Sequence, residues 1–463
     1  MSIRITPYKI SRIDSYEIKR GLNRHDEAMI QGEMSAEEYL VYEEMADSST
    51  VLSLFYKDEK NKETLLFAGV LKTLNVCEEG GAYRIEMHLC GITQVMDYVS
   101  YQTDYQNEAK KSDELIGQLM KSYESLGYSI QAEPFTIRHF LMQHEETDYA
   151  FIKRMLSEKQ EPVFTRMKGK KGQVCFGKPK ESEGEQAELT EYEIRFGEFP
   201  AYVVELDEFL DMGEAVKLQN KKLYVYELEQ TMKDGRYRNQ YVLCNRNNFI
   251  QSRYYTCELT GISLDGTITA RQRDKVQIQL NETGETPQAE RRWFSYASPA
   301  ASSDGSGWYC MPEEGEEIRL FFPTEDEEEA YVISAIKSGG SGGSGAGAGA
   351  GALAAGGESA PEQNTEDKIL SNDQGQMVSF TAQGVAMNCA DNTAAISLSP
   401  DGTIEVTAMT DVSISSEELI SLQAEENLSL TALGNVQIIN AAGSDITVSE
   451  TINVHGNRIK NNG

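Results

Sequence analysis

Five histidines, seven cysteines and 74 acidic residues are the side chains of this 463-residue chain that could bind a metal or move a proton. The histidines, His25, His88, His139, His144 and His455, form no H-E-x-x-H, and no Cys/His set has zinc spacing. His455 stands alone before Gly456 and Asn457, so only symmetry copies meeting on an axis would make it a ligand set. The cysteines (Cys77, Cys90, Cys175, Cys244, Cys257, Cys310, Cys389) are odd in number, scattered and without a C-x-x-C pair, as in a chain folded in a reducing cytosol. With so many acids, carboxylate pairs occur by abundance. Glu313, Glu314, Glu316 and Glu317, and the run from Glu325 to Glu329, would suit a glycosidase or a cation only with an apolar pocket to separate two pKa values. No such pocket is legible, and both runs are expected to be solvated loops. Trp293 and Trp308 could stack a sugar or base but are expected in a core or subunit contact. The glycine run over 338–357 lacks the Gly-Lys-Ser/Thr ending of a phosphate loop. The sequence therefore predicts no catalytic residue, no metal and no cofactor.

The net charge of -31 disfavours binding to nucleic acid or an anionic membrane by bulk electrostatics. The first ten residues are polar and basic without an apolar centre, so no secretory signal is expected and assembly is placed in the cytoplasm. The weakly polar run 345–357 is too short and glycine-rich to span a bilayer.

The strongest pattern is mechanical. Apolar side chains recur every eight residues in two slots: Ile396, Ile404, Val412, Ile420, Leu428, Val436, Ser444 and Ile452, then, two residues later, Leu398, Val406, Ile414, Leu422, Leu430, Ile438, Ile446 and Val454. Fifteen of these sixteen are Ile, Leu or Val, and the residue between the slots is always polar. In-out-in triplets are strand alternation, and the five residues between them are corners. One octad cannot close a β-helical turn, so an isolated tail would leave its stripe in water, forgoing on the order of 20 to 45 kcal/mol per chain. Three tails about one axis would bury all three stripes, and eight octads would make a prism about 35 to 40 Å long.

Upstream, residues 1–250 read as two β-rich lobes joined by a helical segment. Strands are expected at Val51 to Tyr56, Leu65 to Val76 and Tyr83 to Cys90, and a hairpin turn at Asp234-Gly235. One helix is expected over 112–127 with Ser112 as its cap and Gly127 at its end, and another from about Thr147 with Phe151, Ile152, Met155 and Leu156 inward. Residues 255–337 suit a five-stranded OB-fold barrel, with Val276, Ile278 and Leu280 alternating, as do Ile318, Leu320 and Phe322. A Gly/Ser/Ala-rich linker over 338–366 and a transition over 367–395, in which Val378, Phe380, Val385 and Met387 pack the entrance to the prism, precede a spike over 396–463.

This order of parts resembles the VgrG spike family of type VI secretion systems, contractile phage tails and extracellular contractile injection particles. The stretch His144 to Leu156 resembles the family's "ESDxxFxxRLxE" helix, with Asp148, Phe151, Arg154 and Leu156 in matching places. Arg292-Trp293, Gly307-Trp308, Met311-Pro312 and Gly315 to Phe322 resemble its barrel motif. The resemblance implies a mainly β chain: a two-lobed β-barrel hub with helical insert, an OB-fold barrel and a C-terminal intertwined trimeric β-helix or β-prism. It further implies a homotrimer whose six barrels adapt threefold to sixfold symmetry. The implied partners are a hexameric Hcp-like inner-tube protein, baseplate proteins and a PAAR-like tip protein or effector, with transient contact to a target membrane. The expected role is a non-enzymatic spike and hub in a phage-tail-like particle, delivered outward on contraction. A trimeric host-binding fibre or adhesin shares the octads but needs a receptor-binding head, and a spike-borne cell-wall hydrolase needs a catalytic domain.

Overall fold

The computed structural model describes residues 2–45, 50–167, 171–181, 185–186, 191–218, 221–297, 311–333, 368–371, 376–389, 392–426, 428–433, 436–439 and 445–448. The chain divides into two compact units, Met1–Gly339 and Gly340–Gly463.

In the first unit the leading lobe comprises β1 (Ser2–Thr6), β2 (Arg12–Arg20), β3 (Glu27–Met34), helix α1 (Ala36–Met45), β4 (Val51–Lys57), β5 (Glu63–Glu79) and β6 (Ala82–Gly91). Helix α1 was not anticipated, although its signal is in the sequence. Ser35 Oγ accepts from Glu38 N (3.2 Å) while Glu38 Oε2 accepts from Ser35 N (3.0 Å), the reciprocal capping box that a Ser-x-x-Glu spacing encodes. Glu38 also accepts from Ser11, so burial pushes its carboxyl up but these hydrogen bonds hold it below the usual range.

The insert follows: β7 (Ser100–Tyr105), α2 (Ser112–Leu119), β8 (Gly127–Ile130), β9 (Leu141–Thr147), α3 (Asp148–Ser157), β10 (Val163–Arg166) and β11 (Gln173–Phe176). Ser112 is not the expected cap: it is the first helical residue, its hydroxyl accepts from Phe135 N (3.1 Å), and Lys111 precedes it without a side-chain cap. Gly127 opens a strand instead of ending the helix. Thr147 does cap α3, accepting from Ala150 N (3.2 Å), and Phe151, Ile152, Met155 and Leu156 are all buried.

The second lobe adds β12 (Glu185–Gln186), β13 (Glu193–Phe196), β14 (Pro200–Leu206), β15 (Ala215–Leu218), β16 (Lys221–Lys233) and β17 (Arg236–Cys244). Asp234 and Gly235 both take positive φ between paired Lys233 and Arg236, as a two-residue hairpin turn requires. The lobes share one twelve-stranded sheet, ordered β1-β4-β5-β6-β3-β2-β16-β17-β14-β13, with β15 also beside β16 and β12 beside β15. Its seam is the antiparallel pairing of β2 with β16, from Arg20 opposite Leu228 to Ser15 opposite Lys233. One apolar core spans the seam, with Ile18, Ile30 and Met87 from the first lobe and Val225, Tyr241 and Leu243 from the second.

The barrel consists of β18 (Ser263–Gln272), β19 (Lys275–Leu280), β20 (Phe294–Ser295), β21 (Glu317–Phe321) and β22 (Tyr331–Ile333), ordered β20-β19-β18-β21-β22. A bridge between Tyr296 and Val332 brings the ends of that order together. The alternating residues Val276, Ile278, Leu280, Ile318, Leu320 and Phe322 all face the core.

The second unit holds an antiparallel meander of β23 (Lys368–Ser371), β24 (Met377–Thr381), β25 (Gly384–Asn388), β26 (Ala394–Leu398) and β27 (Ile404–Ala408), then a hairpin of β28 (Val436–Ile439) and β29 (Asp445–Val448). The first two octad triplets thus lie in strands, as their alternation predicts. Within one copy they pair with each other as a hairpin, because a single chain has only its own neighbouring strand to satisfy a strand edge.

Candidate assembly surfaces

The motif helix α3 owes its charged residues to the joint between insert and barrel. Arg154 is buried, and its guanidinium takes Glu146 Oε2 at 2.8 Å through Nη2, Glu327 Oε2 at 2.8 Å through Nη1, and the Met142 carbonyl at 2.9 Å. Glu327 lies 173 residues away, on the barrel's 3-10 turn Glu327–Glu329. Its other oxygen accepts from Met142 N at 2.7 Å. Burial pushes the Glu327 carboxyl up while Arg154 and the Met142 amide pull it down. The acidic run is therefore not wholly the solvated loop expected: Glu327 is 4% exposed because its backbone turn aims it at a guanidinium that needs a second carboxylate. Asp148, the other charged motif residue, accepts from Tyr123 Oη (2.8 Å) and Gln143 Nε2 (2.9 Å), and so holds β9 beside α3.

Apolar packing crosses the same joint. Phe140 and Met142 belong to the barrel's core cluster, Phe140 meeting Phe294 edge-on with ring centres 5.2 Å apart. The barrel core is thus completed by residues from the insert. A second buried arginine ties the two lobes: Arg20 donates to Asp26 (3.2 Å), Asp211 (2.9 Å) and the Thr165 carbonyl (2.8 Å).

Two of the histidines, His25 and His139, serve similar ends. His25 bonds Thr93 Oγ1 (2.7 Å) and Asp97 Oδ2 (2.6 Å), an order of groups that suggests a relay, but Thr93 is buried and has no access to a substrate. His139 Nε2 meets Glu158 at 2.9 Å, and that hydrogen bond raises its pKa against the opposing effect of burial. His88 lies beside Glu86. His455 and Trp308 lie outside the described residues, and Trp293 is half-buried. Among the described residues no three His, Cys, Asp or Glu side chains are grouped to hold a metal, and no helix is long and apolar enough to cross a membrane. Cys90, Cys175 and Cys244 are buried, and Cys77 and Cys389 are exposed. Burial pushes the Cys90 and Cys244 thiols up.

The second unit contrasts sharply. Its strand registers align apolar residues into two cross-strand rows: Leu370, Val378, Met387, Ile396 and Val406 in one, Phe380, Val385, Leu398 and Ile404 in the other. The polar residues between the slots, Ser397 and Glu405, alternate to the opposite face. Seven of these nine side chains are exposed large hydrophobics, Ile404 at 69%. Val412, Ile414, Ile420, Leu422, Leu428 and Leu430 are also exposed, on backbone without strand pairing. Val436, Ile438 and Ile446 lie on β28 and β29. Ile452 and Val454 lie outside the described residues.

Residues 264–336 match the family model described as the type VI secretion system/phage-baseplate injector OB domain. About three quarters of the chain superimposes on an Escherichia coli protein, c3393, described as a type VI secretion component similar in structure to T4 bacteriophage tail proteins gp27 and gp5. That match has a TM-score of 0.53 and 12% identity, and covers 73% of this chain and 100% of the other. A chain of the half-lidded Francisella PdpA-VgrG complex matches with a TM-score of 0.55 and 9% identity over 88% of this chain and 87% of the other. The lidless complex matches at 0.55 and 8%, over 88% and 97%. No curated protein matches the chain in sequence. The barrel thus matches an injector OB domain, and the fold of the chain is similar to that of a type VI secretion component. Its architecture is similar to that of the VgrG-type structures: mainly β, with an OB barrel following two sheet-sharing lobes.

Proposed function

We propose that the chain acts as a homotrimer, a spike and hub that caps the inner tube of a contractile machine and is driven through a target envelope when a sheath contracts. The observation that carries this reading is the pair of apolar rows on one face of the meander, continued by the octad stripe, with nothing among the described residues of a single copy to cover them. Two further copies supply identical stripes about a shared axis, so every row is buried by its own kind. Residues 396–463 then form the needle, 367–395 its entrance, 338–366 the connection, 255–337 the barrel and 1–250 the tube adaptor.

In the trimer the six hub lobes present a sixfold face to a hexameric Hcp-like ring, baseplate proteins surround it, and a PAAR-like tip protein or an effector rides at the far end. The work is mechanical and needs no catalytic group. The particle assembles in the cytoplasm and acts outside it, touching the target membrane only in passing. Imaging of the purified chain tests the reading. A threefold hub bearing one thin needle is the expected particle; a globular single copy, or a fibre ending in a receptor-binding head, overturns it.

A further inference from the structure

The two lobes use one strand plan twice. The shared sheet runs β5-β6-β3-β2 through the first lobe and β16-β17-β14-β13 through the second. In each, the long leading strand ends in a two-residue turn with positive φ, Gly80-Gly81 or Asp234-Gly235, and bulges at the same distance before it, at Lys72 or Tyr226. The first half of each long strand is covered within the chain, by β4 as far as Val70 and by β15 as far as Tyr224. The last strands match in sequence as well. Tyr16-Glu17-Ile18-Lys19-Arg20 of the first lobe returns as Tyr192-Glu193-Ile194-Arg195-Phe196 in the second, with Ile18 opposite Ala28 of β3 and Ile194 opposite Tyr202 of β14.

What differs between the two is cover. β2 is flanked by the second half of β16, and Tyr16 and Ile18 are 2% and 0% exposed. The equivalent edge of β13 has no partner strand among the described residues, and Ile194 is 37% and Phe196 81% exposed. The second half of β5, beyond Val70, pairs among the described residues only with β6, and Val76 is 38% exposed. Each open edge thus lacks the neighbour that its counterpart has at the seam. We propose that β13 of one copy pairs antiparallel with Leu74 to Glu78 of β5 in a second copy, repeating between chains the seam of β2 with β16. The register of the seam carries over: Gln230 opposite Ile18 becomes Val76 opposite Ile194, Leu228 opposite Arg20 becomes Leu74 opposite Phe196, and Thr231 opposite Glu17 becomes Cys77 opposite Glu193. Paired so, the apolar side chains of both edges cover one another, and two rows of backbone groups gain partners. Such pairing is head to tail and closes at a fixed copy number; closure at three rests on the proposed trimer.

Cross-linking of the full chain tests the pairing. Glu193→Cys puts a thiol opposite the exposed Cys77, with Cβ atoms about 4.5 to 5.5 Å apart in the paired strands. With a short bis-methanethiosulfonate reagent, bands of two and three copies should rise about fivefold over wild type on denaturing gels, with none larger, and adding Cys77→Ser should return them to the wild-type level. Arg195→Cys, two residues out of register, should link several-fold less. Glu193 and Arg195 are both exposed, so neither change disturbs a core. A three-copy mass in sedimentation without this gain overturns the pairing and leaves the needle alone to hold the copies together, whereas a single-copy mass overturns the trimer with it. A link formed within one copy means that the edges meet inside a chain, and a ladder beyond three means an open filament; either overturns the ring.

Discussion

The two units solve opposite halves of the same problem. In the first, charged side chains are turned inward: Arg20 and Arg154 sit almost without solvent contact, each meeting one carboxylate near it in sequence and one from a distant part of the chain. In the second, aliphatic side chains are turned outward along two aligned rows. A buried ion pair contributes little net stability but permits only one arrangement of the elements it joins, whereas an exposed apolar row is stabilised only by a partner. The first unit is thus fixed within one chain, whereas the rows of the second would be covered, in the proposed trimer, by two further copies.

The sharpest way to break the contrast is to put a charge in the outward stripe. In the proposed trimer, Leu422→Asp would bury three uncompensated carboxylates, costing several kcal/mol. Sedimentation should show assembly lost, while circular dichroism of the hub is unchanged. The converse is to unpair an inward charge. Arg154→Met leaves Glu327 buried without its partner and should destabilise the first unit by about 3 to 5 kcal/mol in chemical denaturation, with Glu327→Gln on the same background recovering much of it. A smaller effect is expected at the overlooked capping box, where Ser35→Ala should cost about 1 kcal/mol.

The pH dependence of the joint gives the finest test. The pKa of His139 is raised by its hydrogen bond to Glu158, so its contribution is fully present below the unfolded value of 6.5 and is lost as pH rises through the higher folded value. Denaturation midpoints of the wild type should fall across that window, and those of His139→Gln should fall less.

What was legible in the sequence follows the same division. Octads, alternation in the barrel strands and the Asp234-Gly235 turn are local signals, each set by side chains within a few positions. The α3 motif was visible by resemblance, but the role of Arg154 was not, because Glu327 is distant in sequence and sits in a run of acids that look alike. The shared sheet was hidden for a related reason: alternation in β2 and β16 places each on a face without saying that they are neighbours. Ser112 misled because a serine before an amphipathic run is a good cap by rule, and here a tertiary contact with Phe135 claimed its hydroxyl.

Sedimentation equilibrium of the intact chain at micromolar concentration tests the account most directly. Three copies of the 51.6 kDa chain in one particle is the mass predicted, unchanged on dilution over tenfold. A stable single-copy mass with the octad amides protected from hydrogen exchange would contradict it, because the rows would then have found cover within one chain.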